Sequence, residues 1–252
     1  MKKIILLLII SNFCWAQQAE RKLVWEENFN KKTLDESVWN YELGDGCPNL
    51  CGWGNNERQI YTQNNHQIKK GGLIIEARKE GDKYTSTKIT TKGKKEFLYG
   101  RIEARAKLPI GQGLWPAFWM LGANIDEVKW PKTGEIDILE YVGKEPHMVY
   151  TTLHTQDSHG NSINTKKTKF EKIEEGYHVY AIDWSKDKIE FFVDDSLVYT
   201  FNPEVKNEDT WPFDKPFYIL VNLAIGGNFG GPEVDDKILP QKYYVDYIKV
   251  YQ

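Results

Sequence analysis

Glu135, Asp137 and Glu140 place three carboxylates within six residues, Glu135-Ile136-Asp137-Ile138-Leu139-Glu140. In a strand, successive side chains point to opposite faces, so Glu135 and Asp137 share one face while Ile136 and Ile138 share the other. Strict alternation would turn Glu140 onto the apolar face, where a lone carboxylate is costly. One extra residue, a β-bulge near Ile138-Leu139, returns Glu140 to the acidic face, and bulges are common beside active sites. The plain alternative is a half-exposed strand with a solvated acidic side. Two carboxylates facing one cleft are the minimum equipment for hydrolysing a glycosidic bond, one as acid and the other as nucleophile or base. A carboxyl separation near 5–5.5 Å would give retention and a wider gap inversion. Asp137, lying between them, would raise the pKa of a neighbouring acid through its charge.

Sugar sites also need flat apolar platforms. Trp115, Trp119 and Trp130 flank the acidic segment, and Trp53 sits in an Asn-rich loop. Each alone is more readily a core residue than a platform. Trp115 and Trp119, four apart, would share a strand face. His154, in Thr-Leu-His-Thr, would either bond an acid on the neighbouring strand or play a structural part. Asn222 interrupts the apolar run Leu220–Ala224, so it either meets a cleft or has its amide satisfied in the core. Arg101 and Arg105 alternate with Glu103 as a surface ion-pair ladder would.

Around these residues the chain of 252 residues reads as short alternating runs broken by turn residues, with no helical apolar period. Expected strands include Val24–Phe29, Gly72–Ala77, Tyr99–Leu108, Leu114–Leu121, Met148–Thr155, Tyr177–Trp184, Ile189–Phe201, Phe217–Ile225 and Tyr243–Tyr251. About a dozen strands at this spacing predict an all-β, two-sheet antiparallel sandwich. No linker, repeat or low-complexity tail divides it, so residues 17–252 are expected to form one domain.

A formal charge of −3, with no basic stripe, argues against a nucleic-acid partner. Met1-Lys2-Lys3, the apolar run Ile4–Ile10 and the small-residue site ending at Ala16 read as a secretory signal peptide, 1–16, too short to span a bilayer. The product is expected to be secreted, with no membrane span. Two cysteines remain, Cys47 and Cys51. A zinc site would need further ligands that do not lie nearby, and export favours a local disulfide.

The acidic segment resembles the Glu-x-Asp-x-x-Glu signature of glycoside hydrolase family 16, in the form carried by its β-1,3-glucanases (laminarinases). Further blocks are similar in order: Gly52–Glu57, Tyr99–Arg105, Leu114–Met120, Trp130-Pro131 and Val245–Tyr251. The resemblance implies a concanavalin-like jelly roll with a concave substrate cleft, and retaining endo-hydrolysis of a β-glucan by a monomer. It assigns Glu135 as nucleophile, Glu140 as general acid/base and Asp137 as their assistant, with His154 in support. Asn56, Arg101, Trp115, Trp119 and Trp130 would line subsites. It implies no cofactor for catalysis but a structural calcium on the convex side, with Asp246 as ligand and Gly72 and Glu27 as weaker candidates. It also supports the Cys47–Cys51 disulfide. A hydrolase of agar- or carrageenan-type galactans, and a non-catalytic lectin-like sandwich, are the competing readings. The first lacks basic residues for sulfate near the triad, and the second needs no converging pair of glutamates.

Overall fold

The computed structural model describes residues 21–69 and 71–252; the expected signal segment lies outside them. Eighteen strands form among the described residues. The first nine are β1 (Leu23–Glu27), β2 (Asn40–Glu42), β3 (Gln59–Tyr61), β4 (His66–Ile68), β5 (Leu73–Glu80), β6 (Lys83–Ser86), β7 (Lys88–Thr90), β8 (Glu96–Phe97) and β9 (Gly100–Lys107). The rest are β10 (Leu114–Gly122), β11 (Glu135–Glu140), β12 (Met148–His154), β13 (Thr165–Lys169), β14 (His178–Trp184), β15 (Ile189–Val193), β16 (Ser196–Phe201), β17 (Phe217–Ile225) and β18 (Gln241–Tyr251). Helix is confined to single turns, as the missing 3.6-residue period predicts.

Two sheets pack face to face. One runs β16-β15-β14-β9-β18-β5-β6-β3, with β1 on β18 and β4 on β5; the other runs β13-β12-β11-β10-β17-β7-β2, with β8 on β17. Pairing is antiparallel except for β3 with β6. The expected jelly-roll sandwich is therefore present. Ile102, Ala104 and Ala106 of β9 face Phe118, Met120, Ile136, Ile138 and Leu139 of the second sheet in one shared core. All nine residues of β17 are buried, because one face packs in the main core and the other against Trp115, Trp119 and Leu121.

One expected strand is wrong in outline. Ile189–Phe201 is a hairpin, β15 and β16, that turns at Asp194-Asp195, with Asp194 in the left-handed region at φ 52°. Aspartate tolerates that conformation through its short polar side chain.

Candidate active site

The acidic strand begins from Gly134, whose φ of +80° and crowding suit no other residue: a Cβ there would lie 2.7 Å from Cγ of Pro212. Against β10, Leu121 pairs with Glu135, Trp119 with Asp137, Phe118 with Leu139 and Ala117 with Glu140, leaving Ile138 unmatched. The register against β12 shifts over the same residues, with Asp137 opposite Thr152 and Glu140 opposite Tyr150. This is the bulge that the carboxylate pattern demanded. Ile138 and Leu139 both enter the core, and Glu135, Asp137 and Glu140 share the outer, cleft-facing wall.

Along that wall the carboxyls are held by indoles and an imidazole. Trp130 Nε1 donates to Glu135 Oε2 at 2.7 Å, and Trp115 Nε1 donates to Glu140 Oε1 at 3.1 Å. His154, opposite Glu135 on β12, brings Nε2 within 3.2 Å of Asp137 Oδ2. That approach lacks hydrogen-bond alignment, so Asp137 Oδ2 keeps no bonded partner within the described residues. Asp137 is only 3% exposed and Glu140 9%. Burial pushes the Asp137 carboxyl well above the usual carboxylate range, helped by the charge of Glu135 and a hydrogen bond shared with it. Burial likewise raises Glu140, reinforced by the charges of Asp137 and Glu135 and opposed by His154 and the Trp115 indole. The arrangement therefore favours the protonated form of Glu140, the state a general acid needs.

Oxygen and nitrogen atoms of Glu135, Asp137 and His154 also lie within 4.8 Å of one another, a spacing a metal would accept. Here Glu135 Oε2 already accepts from the Trp130 indole.

Trp119 lies on the same face as Trp115, and its Nε1 donates to Asn222 Oδ1 at 2.7 Å. The Asn222 amide donates in turn to Tyr61 Oη at 3.0 Å. Asn222 thus answers both sequence readings: it faces the cleft floor and is satisfied there. Trp130 is 44% exposed at the mouth, packed edge-on against His159. Asn56 sits in the Gly52–Glu57 loop and bonds Asn228 at 2.9 Å, joining that loop to the turn after β17. The contact is close enough that a Cβ on Gly227 would lie 2.8 Å from the Asn55 carbonyl oxygen. Cys47 and Cys51 are joined in a disulfide ahead of this loop.

Residues 54–249 match the family described as glycosyl hydrolases family 16. The chain belongs to this family. The laminarinase of Flavobacterium sp. UMI-01 superposes with a TM-score of 0.91 at 70% identity, covering 92% of this chain and all of that one. A beta-glucanase of Rhodothermus marinus is 41% identical over 92% of this chain and 85% of its own length. A glucan endo-1,3-beta-glucosidase of Cryptopygus antarcticus is 38% identical over 94% of both chains.

In this family 16 hydrolase, Arg101 does not line the cleft. It lies on β9 of the opposite sheet, on its outer face, where Nε donates to Glu103 at 2.8 Å and Nη1 to Asp183 at 3.3 Å. The ion-pair ladder read from the alternation is the correct account, and the subsite role is withdrawn. Around the expected calcium position, where the resemblance implies main-chain oxygens and the Asp246 carboxylate, the side chains have protein partners. Asp246 Oδ2 is bound by Arg105 at 2.5 Å. Both oxygens of Glu27 accept, one from the Phe29 N–H and one from Trp39 Nε1. Gly72 offers a main-chain oxygen, which also accepts from the Lys69 N–H.

Other cleft residues escaped the sequence reading. Tyr150 faces Glu140 across β12, and Phe229 packs edge-on against both Trp115 and Tyr150. Glu57 is buried under the loop, where burial raises its pKa; it accepts from Gln59 and Tyr61. Its place in the Asn55-Asn56-Glu57 block was the available signal.

Proposed function

We propose that this protein is a secreted, monomeric, retaining endo-1,3-β-glucanase acting on laminarin-type β-1,3-glucan, with activity also on mixed β-1,3/1,4-glucan. The observation that carries the reading is the bulge in β11, which sets Glu135, Asp137 and Glu140 on one wall between indole platforms. In the first step the Glu135 carboxylate attacks the anomeric carbon as the bond to the leaving sugar breaks. The leaving oxygen takes the Glu140 proton. In the second, the Glu140 carboxylate removes a proton from water, whose oxygen attacks the same carbon and releases Glu135. Asp137, with His154 beside it, holds Glu135 in position for attack. No cofactor takes part.

The laminarinase and glucanase relatives support the substrate class, and the leader-like residues 1–16 support export. Among the described residues no helix is long and apolar enough to cross a membrane. The test is product analysis on laminarin and mixed-linkage glucan, with the anomer followed by NMR. Internal cleavage with first release of the β-anomer is expected. First release of the α-anomer overturns retention, and absence of cleavage overturns the assignment.

A further inference from the structure

The register carries one row of side chains straight across the cleft sheet. Glu140 of β11 is opposite Ala117 of β10, Ala117 opposite Asn222 of β17, Asn222 opposite Lys88 of β7, and Lys88 opposite Glu42 of β2. Residues so paired share a face of the sheet. Lys88 is therefore on the cleft floor, three strand spacings or about 14 Å from the acid.

Lysine is rarely this buried, and Lys88 is 7% exposed. Its Nζ sits 4.3 Å from the Trp53 ring centroid and 5.0 Å from that of Trp119, with Glu42 Oε2 at 2.7 Å as counter-ion. The two indoles come from different places, one from a loop and one from β10. Trp53 is held with φ at +53°, a strained conformation for a bulky residue that persists only when surroundings fix it. Its other contacts are one long bond from Nε1 to the Gly44 carbonyl, at 3.3 Å, and the Tyr61 ring. Both indoles remain part-exposed toward the cleft.

We propose that Lys88 is a positioning residue whose ammonium clamps Trp53 and Trp119 into a sugar-binding platform that runs from the strand beside the acids toward the β2 end of the cleft. Its far end, at Trp53, takes a glucosyl unit of a long β-glucan chain and is not reached by short oligosaccharides. This inference rests on the glucanase reading of the cleft. Failure of that reading would show as a wild-type protein that cleaves no glucan at all.

The test is kinetics of wild type, Lys88→Met and Lys88→Arg on a series of β-1,3-gluco-oligosaccharides from trimer upward and on laminarin. Lys88→Met keeps the bulk and removes the charge. It should raise KM about tenfold on the long substrates, the size of a desolvated cation–π contact, with kcat within about twofold. KM on the shortest cleaved substrate should rise by much less, and Lys88→Arg should recover most of the loss. Tryptophan fluorescence of Lys88→Met should also lose part of the change that long oligosaccharides induce in the wild type. An equal loss at every chain length, or none at any, overturns the proposal. Should Lys88→Met fail to fold, Trp53→Ala in the loop carries the same test: its KM must rise on long substrates alone.

Discussion

Glu140 has to keep a proton at a pH where an exposed glutamate has lost it. Burial supplies most of that effect and the neighbouring carboxyls add to it. The proposed mechanism needs Glu140 protonated, so kcat/KM should fall as pH rises through its elevated pKa, above the ordinary carboxylate range. Asp137→Asn removes one charge that raises Glu140, so the alkaline limb of a pH–rate profile should move to lower pH; an upward move would contradict the geometry. Glu140→Gln should lower kcat on laminarin by about 10²–10⁴-fold. The same variant should unfold at a higher temperature at neutral pH. The folded state holds the Glu140 proton to higher pH than the unfolded chain does. Native stability therefore declines as pH rises from the ordinary carboxylate range through the elevated value. Glutamine removes that penalty, and a pair of melting curves at pH 4 and pH 7 would show the gain only at the higher pH. Glu135→Ser should abolish release of reducing sugar while leaving laminarin binding intact, as calorimetry would show.

Strand β11 bears the irregularity on which the residues depend, and mutational cost can read it. In a regular strand position 139 would face the cleft, whereas the bulge makes Leu139 fully buried in the core. Leu139→Ala should therefore cost about 2–5 kcal/mol in denaturant unfolding. A cost within about 0.5 kcal/mol would place that side chain outside the core. The bulge was legible in sequence because one carboxylate out of parity has only one inexpensive resolution. Arg101 was not, since alternation says that Arg101 and Glu103 share a face but not which sheet their strand joins. The residues of β7 were invisible for a related reason. Three residues carry no usable period, and the value of Lys88 comes from its register with Asn222, 134 positions away in numbering, that is 222 minus 88. The Asp194-Asp195 turn, by contrast, was readable in the polar pair that interrupts Ile189–Phe201.

On the scale of the molecule, one core cluster draws on both sheets, so the described chain is expected to unfold in a single calorimetric transition. Treatment with EDTA should leave kcat unchanged, because the proposed catalytic steps use carboxyl groups alone. The row from Glu140 to Glu42 runs at right angles to the strands. Each strand it crosses advances about 4.8 Å, so the sheet works as a ruler with strands for graduations. With the polysaccharide laid along it, reach is a matter of width: an enzyme gripping a longer stretch of polymer needs another edge strand, and one stripped of β2 and β7 would measure a shorter one.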